Sequence, residues 1–104
     1  MKRQRITLSD AAVADILEQA DWYQNQSDHK LAKRWENAVT STLLRILRNP
    51  RSGMLCTFMS EDLRDLRRVS VAGFPKHLVF YQFHEEDLLI LRVVHGARDL
   101  ESLF

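Results

Sequence analysis

Residues 77–95 read HLVFYQFHEEDLLILRVVH, and this stretch decides the fold. It contains two apolar runs, 77–83 and 88–95, rich in the β-branched and aromatic residues that favour strands. The polar residues 84–87 separate the runs, and a connection of this length is typical of a hairpin. We therefore predict two neighbouring antiparallel strands here. Residues 66–71 (LRRVSV) read as a further strand before them.

The N-terminal half carries the period of a helix rather than that of a strand. Residues 9–49 contain neither Pro nor Gly, and a polar break lies at 24–28. Ser9 and Asp28 are suitable N-caps, and Asn49-Pro50 ends the second segment because the residue before Pro avoids the α region. We predict an antiparallel pair of helices of about 17 and 20 residues. The apolar stripe of the first helix consists of Val13, Ile16, Leu17, Ala20 and Tyr23.

The remaining segments complete an α+β pattern. Residues 2–8 alternate and read as an edge strand, whereas residues 50–62 have no clear period and read as a loop. The predicted order is β-α-α-β-β-β. Helices followed by strands predict an N-terminal αα-hairpin packed on one face of an antiparallel sheet. At 104 residues, the chain is expected to form one domain over residues 1–104.

Composition excludes several classes of protein. The formal net charge is only +1, so any binding of nucleic acid must rest on local clusters of charge. Cys56 is the single cysteine, which excludes an internal disulfide and a cysteine-based zinc site. No apolar run is long enough to span a membrane or to follow the basic start as a signal peptide. We expect a cytoplasmic protein.

The sequence also lacks the motifs of cofactor-dependent enzymes. It contains no glycine-rich phosphate loop and no G-x-S-x-G turn. The four histidines have no metal-binding spacing on a helix, and we expect neither a metal nor a cofactor. They are His29, His77, His84 and His95.

A basic cluster precedes the central strands. Arg64, Arg67, Arg68 and Lys76 lie within thirteen residues, opposed only by Asp65. Each of these cations, taken singly, is as readily explained as a residue at the rim of the sheet paired with a carboxylate as it is by a binding role. The four together favour a binding surface. Adjacent strand residues point to opposite faces, so at most one of Arg67 and Arg68 faces the helices.

Two further residues stand out in the last strand. Arg92 interrupts an apolar run, and because a buried unpaired charge is costly it should reach solvent, a carboxylate or a functional surface. His95 stands at the strand end, before Gly96 and the pair Arg98-Asp99. Its imidazole is suited to act as an acid or a base, or simply as a turn residue.

Four segments of the chain resemble a known family of small toxins. They are residues 20–23 (ADWY), Asn49-Pro50, residues 74–81 (FPKHLVFY) and, above all, residues 92–99 (RVVHGARD). With the order β-α-α-β-β-β, they resemble the ParE branch of the RelE/ParE toxins of bacterial type II toxin–antitoxin modules. The resemblance covers nearly the whole chain. It implies a cognate antitoxin whose C-terminal part wraps the toxin, in an oligomeric complex.

The resemblance implies one of two activities. RelE-like members are ribosome-dependent ribonucleases that cut messenger RNA, and ParE-like members inhibit DNA gyrase so that cleaved DNA accumulates. A ribonuclease would use His95, Arg67 and Arg98 for proton transfer and charge. However, Phe104 and Leu100 stand where some ribonucleases of that branch carry Tyr and Arg. We therefore predict a gyrase inhibitor with no catalytic residue, and keep the ribonuclease as the alternative.

The resemblance also suggests where partners bind. Target-binding residues are predicted to be Arg67, Arg68, Lys76, Arg92, His95 and Arg98. An apolar groove between hairpin and sheet would bind the antitoxin, although residues of these types are more often simply part of the core. These candidates are Leu31, Trp35, Phe80 and Leu91. A third possibility is a protein that retains only the binding of an antitoxin.

Overall fold

A computed structural model describes residues 5–56 and 64–96 of the chain. In these residues two helices and five strands follow one another, with a single 3₁₀ turn at Pro50–Ser52. The elements are β1 (Arg5–Leu8), α1 (Asp10–Asn25), α2 (His29–Arg48), β2 (Met54–Leu55), β3 (Arg67–Val71), β4 (Phe74–His84) and β5 (Asp87–His95). None of the described helices is both long enough and apolar enough to cross a membrane.

The predicted helix boundaries are confirmed by their capping contacts. The Ser9 hydroxyl accepts a hydrogen bond from the Ala12 amide at 3.0 Å, and the Asp28 carboxylate accepts one from the Leu31 amide at 2.9 Å. These bonds satisfy backbone donors that have no partner inside the helix. The second helix ends at Arg48, directly before Asn49-Pro50.

The strands form one sheet in the order β1-β5-β4-β3-β2. β4 and β5 form the predicted antiparallel hairpin, in which His84 pairs with Asp87 and the turn is Glu85-Glu86. β3 lies antiparallel to β4 on its other side. The hairpin therefore occupies the centre of the sheet, as its apolar sequence requires.

Two details of the sheet differ from the prediction. β1 runs parallel to β5, from Arg5 opposite Asp87 to Leu8 opposite Ile90, so that the sheet is mixed rather than wholly antiparallel. The alternation of a strand is the same in either direction, and the pattern of residues 2–8 could not show which one it takes. Residues 54–55, predicted as loop, pair with β3 as the short strand β2.

The sheet buries apolar residues on both faces. The main core lies between the helices and the sheet and includes Trp35, Val79 and Tyr81, all fully buried. A smaller cluster contains Phe80 and no helix residue. Because successive strand residues point to opposite faces, Val79 and Tyr81 face the helices and Phe80 faces away from them.

The apolar stripe predicted for α1 is partly wrong. Val13 is 41 % exposed and Leu17 is 55 % exposed. Ala20 and Tyr23 are buried as predicted, and Ile16 packs partly buried against the core. Ala12, which the predicted stripe did not include, is buried in place of Val13 and Leu17. Ala allows close approach of the helix to its neighbours, and positions 12, 16, 20 and 23 fit the helical period as well as the predicted ones do.

Candidate functional site

Arg67 faces the helix side of the sheet and holds the segment that follows α2. Its Nη1 donates hydrogen bonds to the backbone oxygens of Gly53 at 2.8 Å and Arg51 at 3.2 Å. The Tyr81 hydroxyl lies in the same place: it donates to the Pro50 oxygen at 2.7 Å and accepts from the Gly53 amide at 2.9 Å. Arg67, one of the predicted target-binding residues, therefore has a structural role.

Arg92 reaches a carboxylate, which is one of the three environments expected for it. Its Nε and Nη2 each lie 2.8 Å from an oxygen of Asp15, and the side chains are 18 % and 8 % exposed. The hydrogen bonds to Asp15 raise the pKa of the Arg92 guanidinium, although partial burial opposes the shift. Such a two-pronged pair fixes the geometry of both partners. Arg92 is thus oriented towards α1 rather than presented to a target.

Beyond the end of β1, the backbone at the edge of β5 forms hydrogen bonds with Ser9 and with Asp15 of α1. The Ser9 amide donates to the Ile90 oxygen at 2.9 Å, and its hydroxyl donates to the Leu91 oxygen at 2.7 Å. Asp15 accepts the Val93 amide at 2.9 Å. Sequence reasoning missed Asp15, because a single acidic residue on a helix gives no sign of a partner so distant in the sequence.

Arg68 and Lys76 have their side chains on the face of the sheet away from the helices. Arg68 pairs in register with Phe80, and Lys76 lies four positions before Phe80 on the same strand, which places both side chains on the face of Phe80. Lys76 is exposed and Arg68 is half-buried, with its Nη2 3.5 Å from the Met54 sulfur. Burial raises the pKa of the nearby Cys56 thiol, and the Arg68 charge only partly offsets this shift.

A cleft of about 220 Å³ lies between α1 and the end of the β4–β5 hairpin. His77 and His95 line it from the sheet, and Asp15, Glu18 and Trp22 line it from the helix. The two histidines are directly opposite each other, with ring centroids 5.3 Å apart. The Gly96 amide donates to the Lys76 oxygen, so they form a non-hydrogen-bonded pair, whose side chains approach most closely.

The two histidines differ in their surroundings. The His77 ring packs edge-on against Trp35 at 4.8 Å, whereas His95 is exposed at the cleft mouth. Burial lowers the pKa of His77, and the proximity of His95 lowers it further. His77 thus belongs to the edge of the core, and His95 is the histidine that a ligand can reach. Among the residues that the structure describes, no group of three or more His, Cys, Asp or Glu side chains could hold a metal ion.

The predicted antitoxin groove requires a correction. Trp35 and Phe80 have no exposed surface, because each fills a core cluster, so they cannot line a groove. Leu31 and Leu91 are half-buried beside the main and the smaller cluster, respectively. The large apolar side chains that are exposed in the described residues are Val13, Leu17, Trp22, Leu44, Met54 and Leu55.

The predictions for Arg98, Leu100 and Phe104 lie outside the described residues. The structure therefore brings together only part of the predicted target-binding set. Lys76 and His95 line one shallow, mostly apolar depression with Leu78, and Arg68 lies further along the same face. Arg67 and Arg92 are bound within the protein.

The helical hairpin on a mixed sheet has the α+β architecture of the RelE/ParE toxins, as predicted. The family model of the "ParE toxin of type II toxin-antitoxin system, parDE" matches residues 6–100. The chain therefore belongs to the ParE toxin family and is a toxin of the type II toxin–antitoxin class.

Solved structures agree with this fold. One chain of the chromosomal ParDE toxin–antitoxin system from P. aeruginosa is similar with a TM-score of 0.70 and 12 % identity, over 88 % of this chain and 95 % of that one. A chain of the heterotetrameric YoeB–YefM toxin–antitoxin complex from Staphylococcus aureus is similar with a TM-score of 0.52 and 20 % identity, over 90 % and 98 % of the two chains. No curated protein sequence gives a significant match.

Proposed function

We propose that this toxin inhibits DNA gyrase by binding it, and that a cognate antitoxin neutralises it. The observation that carries the proposal is the match to the ParE toxin family over residues 6–100. A second observation agrees with it: Arg67, one of the arginines that a ribonuclease would use for charge, is bound to the backbone oxygens of Arg51 and Gly53. A binding mechanism needs no catalytic constellation.

The proposed contact surface for gyrase comprises Arg68, Lys76 and His95. Lys76 and His95 are exposed, and Arg68 has its side chain on the same face of the sheet as Lys76. Arg98 stays in this proposal on the strength of the family resemblance. Cations beside an open apolar depression suit an acidic and partly apolar surface on a partner.

The test uses purified toxin, gyrase and supercoiled plasmid. Cleaved DNA should accumulate as the toxin is added. The variant Arg68→Glu/Lys76→Glu should need at least about tenfold more protein to give the same amount of cleaved DNA, which is equivalent to about 1.4 kcal/mol of binding free energy. Arg5→Glu is the matched control, since Arg5 is an exposed cation on β1. Unchanged supercoiling at equimolar toxin would refute the proposal.

An antitoxin partner is proposed because the similar structures are toxin–antitoxin systems. Exposed apolar residues on α1, namely Val13, Leu17 and Trp22, offer a surface for an apolar segment, with half-buried Leu31 at the start of α2. A ligand that binds only the folded state raises its stability. Saturating antitoxin should raise the melting temperature, and an unchanged value would remove this part of the proposal.

The ribonuclease remains a second candidate because of one observation. His95 stands at the mouth of a cleft that also contains His77, Asp15 and Glu18, which is a setting for proton transfer. A translation extract separates the two functions. Cleavage of messenger RNA that is abolished by His95→Ala would favour the ribonuclease, whereas no cleavage with gyrase inhibition retained would exclude it.

A further inference from the structure

Helix α2 carries a stripe of cations, about 60° wide, along its exposed side. Lys30 and Arg48 are 18 residues apart, which is five whole turns, and Arg34 and Arg45 are 11 residues apart, which is three. All four side chains are exposed. We call them the α2 stripe; it is about 27 Å long at 1.5 Å per residue. Lys33 adds a fifth exposed cation to the helix, and Glu36 is its one carboxylate.

The α2 stripe is not explained by helix stability. Cations are favourable near the C-terminus of a helix, which accounts for Arg45 and Arg48. Lys30, Lys33 and Arg34, however, stand in the first two turns, where the helix dipole disfavours positive charge, and the first turn holds no acidic residue.

Contacts within the protein do not neutralise the α2 stripe either. Arg34 lies over the Phe74 ring at 5.6 Å, and Arg45 makes one long hydrogen bond of 3.5 Å to the Ser70 oxygen. Within residues 5–56 and 64–96, no cation of α2 lies within ion-pair distance of a carboxylate. These cations therefore keep their full charge towards solvent.

The neighbouring helix has the opposite charge. α1 carries Asp10, Asp15, Glu18 and Asp21 and no Lys or Arg. The net charge of +1 therefore conceals two helices of opposite sign. A polyanion would be attracted to α2 and repelled by α1, which restricts its approach to one side of the helical layer.

The chemistry of α2 favours nucleic acid over a protein segment as the partner. A protein interface normally includes apolar anchors, but Leu44 is the single large apolar side chain that α2 exposes. The exposed apolar residues of α1 are Val13, Leu17 and Trp22, so the surface suited to a protein lies on the other helix. A phosphodiester backbone requires only positioned cations.

We propose that the α2 stripe binds the phosphate backbone of nucleic acid without sequence preference. The inference does not depend on gyrase inhibition, because it uses cations of α2 and none of the residues Arg68, Lys76 and His95. Four phosphate contacts predict a slope of about −3.6 for log K against log salt concentration with duplex DNA. Affinity should fall roughly 100-fold between 50 and 200 mM salt.

The test is fluorescence anisotropy of a labelled 20-base-pair duplex with the full chain, repeated with a single-stranded RNA of equal length. Arg34→Gln/Arg45→Gln should lower the magnitude of the salt slope by about 2 and weaken binding. Arg5→Gln/Arg64→Gln removes the same amount of positive charge from two exposed positions outside α2 and should leave the salt slope unchanged. Thermal unfolding confirms that each variant is folded, and Lys30→Gln/Arg48→Gln provides a second pair.

The outcomes separate this inference from the proposed function. Loss of DNA binding in the stripe variants, with gyrase inhibition retained, supports the inference, and preferential binding of RNA by the same residues supports it with RNA as the ligand. The inference is overturned if the stripe variants keep the wild-type affinity and slope. It is also overturned if polyglutamate competes as well as DNA does at equal charge, because the surface would then be one for acidic proteins.

Discussion

Asp15 on α1 binds Arg92 on β5 through two hydrogen bonds of 2.8 Å and accepts a third from the Val93 amide at 2.9 Å. One carboxylate thus neutralises the charge within an apolar strand and satisfies the backbone at the open edge of that strand. The helix is consequently fixed against β5 at the level of the cleft that holds His77 and His95.

Asp15→Ala should lower the free energy of unfolding by about 2–3 kcal/mol, because it leaves the Arg92 guanidinium and the Val93 amide without their acceptor. Urea unfolding measures the change. Asp21→Ala is the matched control: it removes an exposed carboxylate from the same helix and should stay within about 0.5 kcal/mol of the wild type. Equal effects of the two substitutions would contradict the structural role of the pair.

Thr42 links α2 to the β3–β4 turn. The residue is 1 % exposed, and its hydroxyl donates to the Ala38 oxygen at 2.7 Å and accepts a hydrogen bond from the Ala72 amide at 2.9 Å. Thr42→Val keeps the shape but leaves the Ala72 amide without a partner, so we expect a loss of about 1–3 kcal/mol in urea unfolding. Thr40→Val on the exposed side of the helix should leave the free energy of unfolding nearly unchanged. If Thr40→Val lowered it as much as Thr42→Val, the hydrogen bond to Ala72 would not be the cause of the loss.

Local signals in the sequence predicted most of the fold. Ser9 and Asp28 cap their helices through hydrogen bonds to residues three positions away, so the pattern that identifies them lies in one short window. The β4–β5 hairpin was predictable for the same reason, since its turn and both apolar runs are contiguous. The ParE resemblance rested largely on this region and on the segment that follows it.

The site was less predictable because its contacts are distant in sequence. Arg92 meets Asp15 across 77 positions, and Arg67 donates to the oxygen of Gly53 across 14. No periodicity encodes such pairings. The sequence could list the cations, but only the folded chain separates Arg67 and Arg92, which are bound inside, from Arg68 and Lys76, which have their side chains on the open face of the sheet.

The Tyr81 side chain packs directly against Gly53. A Cβ at Gly53 would lie 2.3 Å from the Tyr81 hydroxyl oxygen, and the Gly53 amide donates to that oxygen. Tyr81→Phe should lower the free energy of unfolding by about 1–3 kcal/mol, since it leaves the Gly53 amide and the Pro50 oxygen unpaired.

Tyr23→Phe is the matched control for this prediction, because Tyr23 is also buried and no hydrogen bond of its hydroxyl is found among the described residues. Gly53→Ala should destabilise the protein as well. Combining it with Tyr81→Phe should not restore stability, because the ring carbons would still lie 2.8 and 2.9 Å from the new methyl group. Full recovery in the double variant would contradict this account.

His77 should make the stability of the protein dependent on pH. Burial against Trp35 and the proximity of His95 hold the pKa of His77 below its ordinary value of 6.5. The unfolded chain therefore binds a proton more readily than the folded one. The contribution to stability is complete above pH 6.5 and is lost as the pH falls through the lower pKa of the folded state.

Urea unfolding between pH 5 and 7.5 measures this dependence of the free energy of unfolding on pH. The other charged groups that line the cleft are Asp15 and Glu18 on α1. His77→Gln should flatten the fall in stability below pH 6.5, because glutamine does not titrate there. His95→Asn removes one of the two causes that lower the pKa of His77, so this pKa should move towards 6.5. It should stay below 6.5, since burial against Trp35 remains. NMR of the His77 imidazole protons follows the titration. A His77 titration that is identical in the wild type and in His95→Asn would show that the cross-strand pair is not electrostatically coupled.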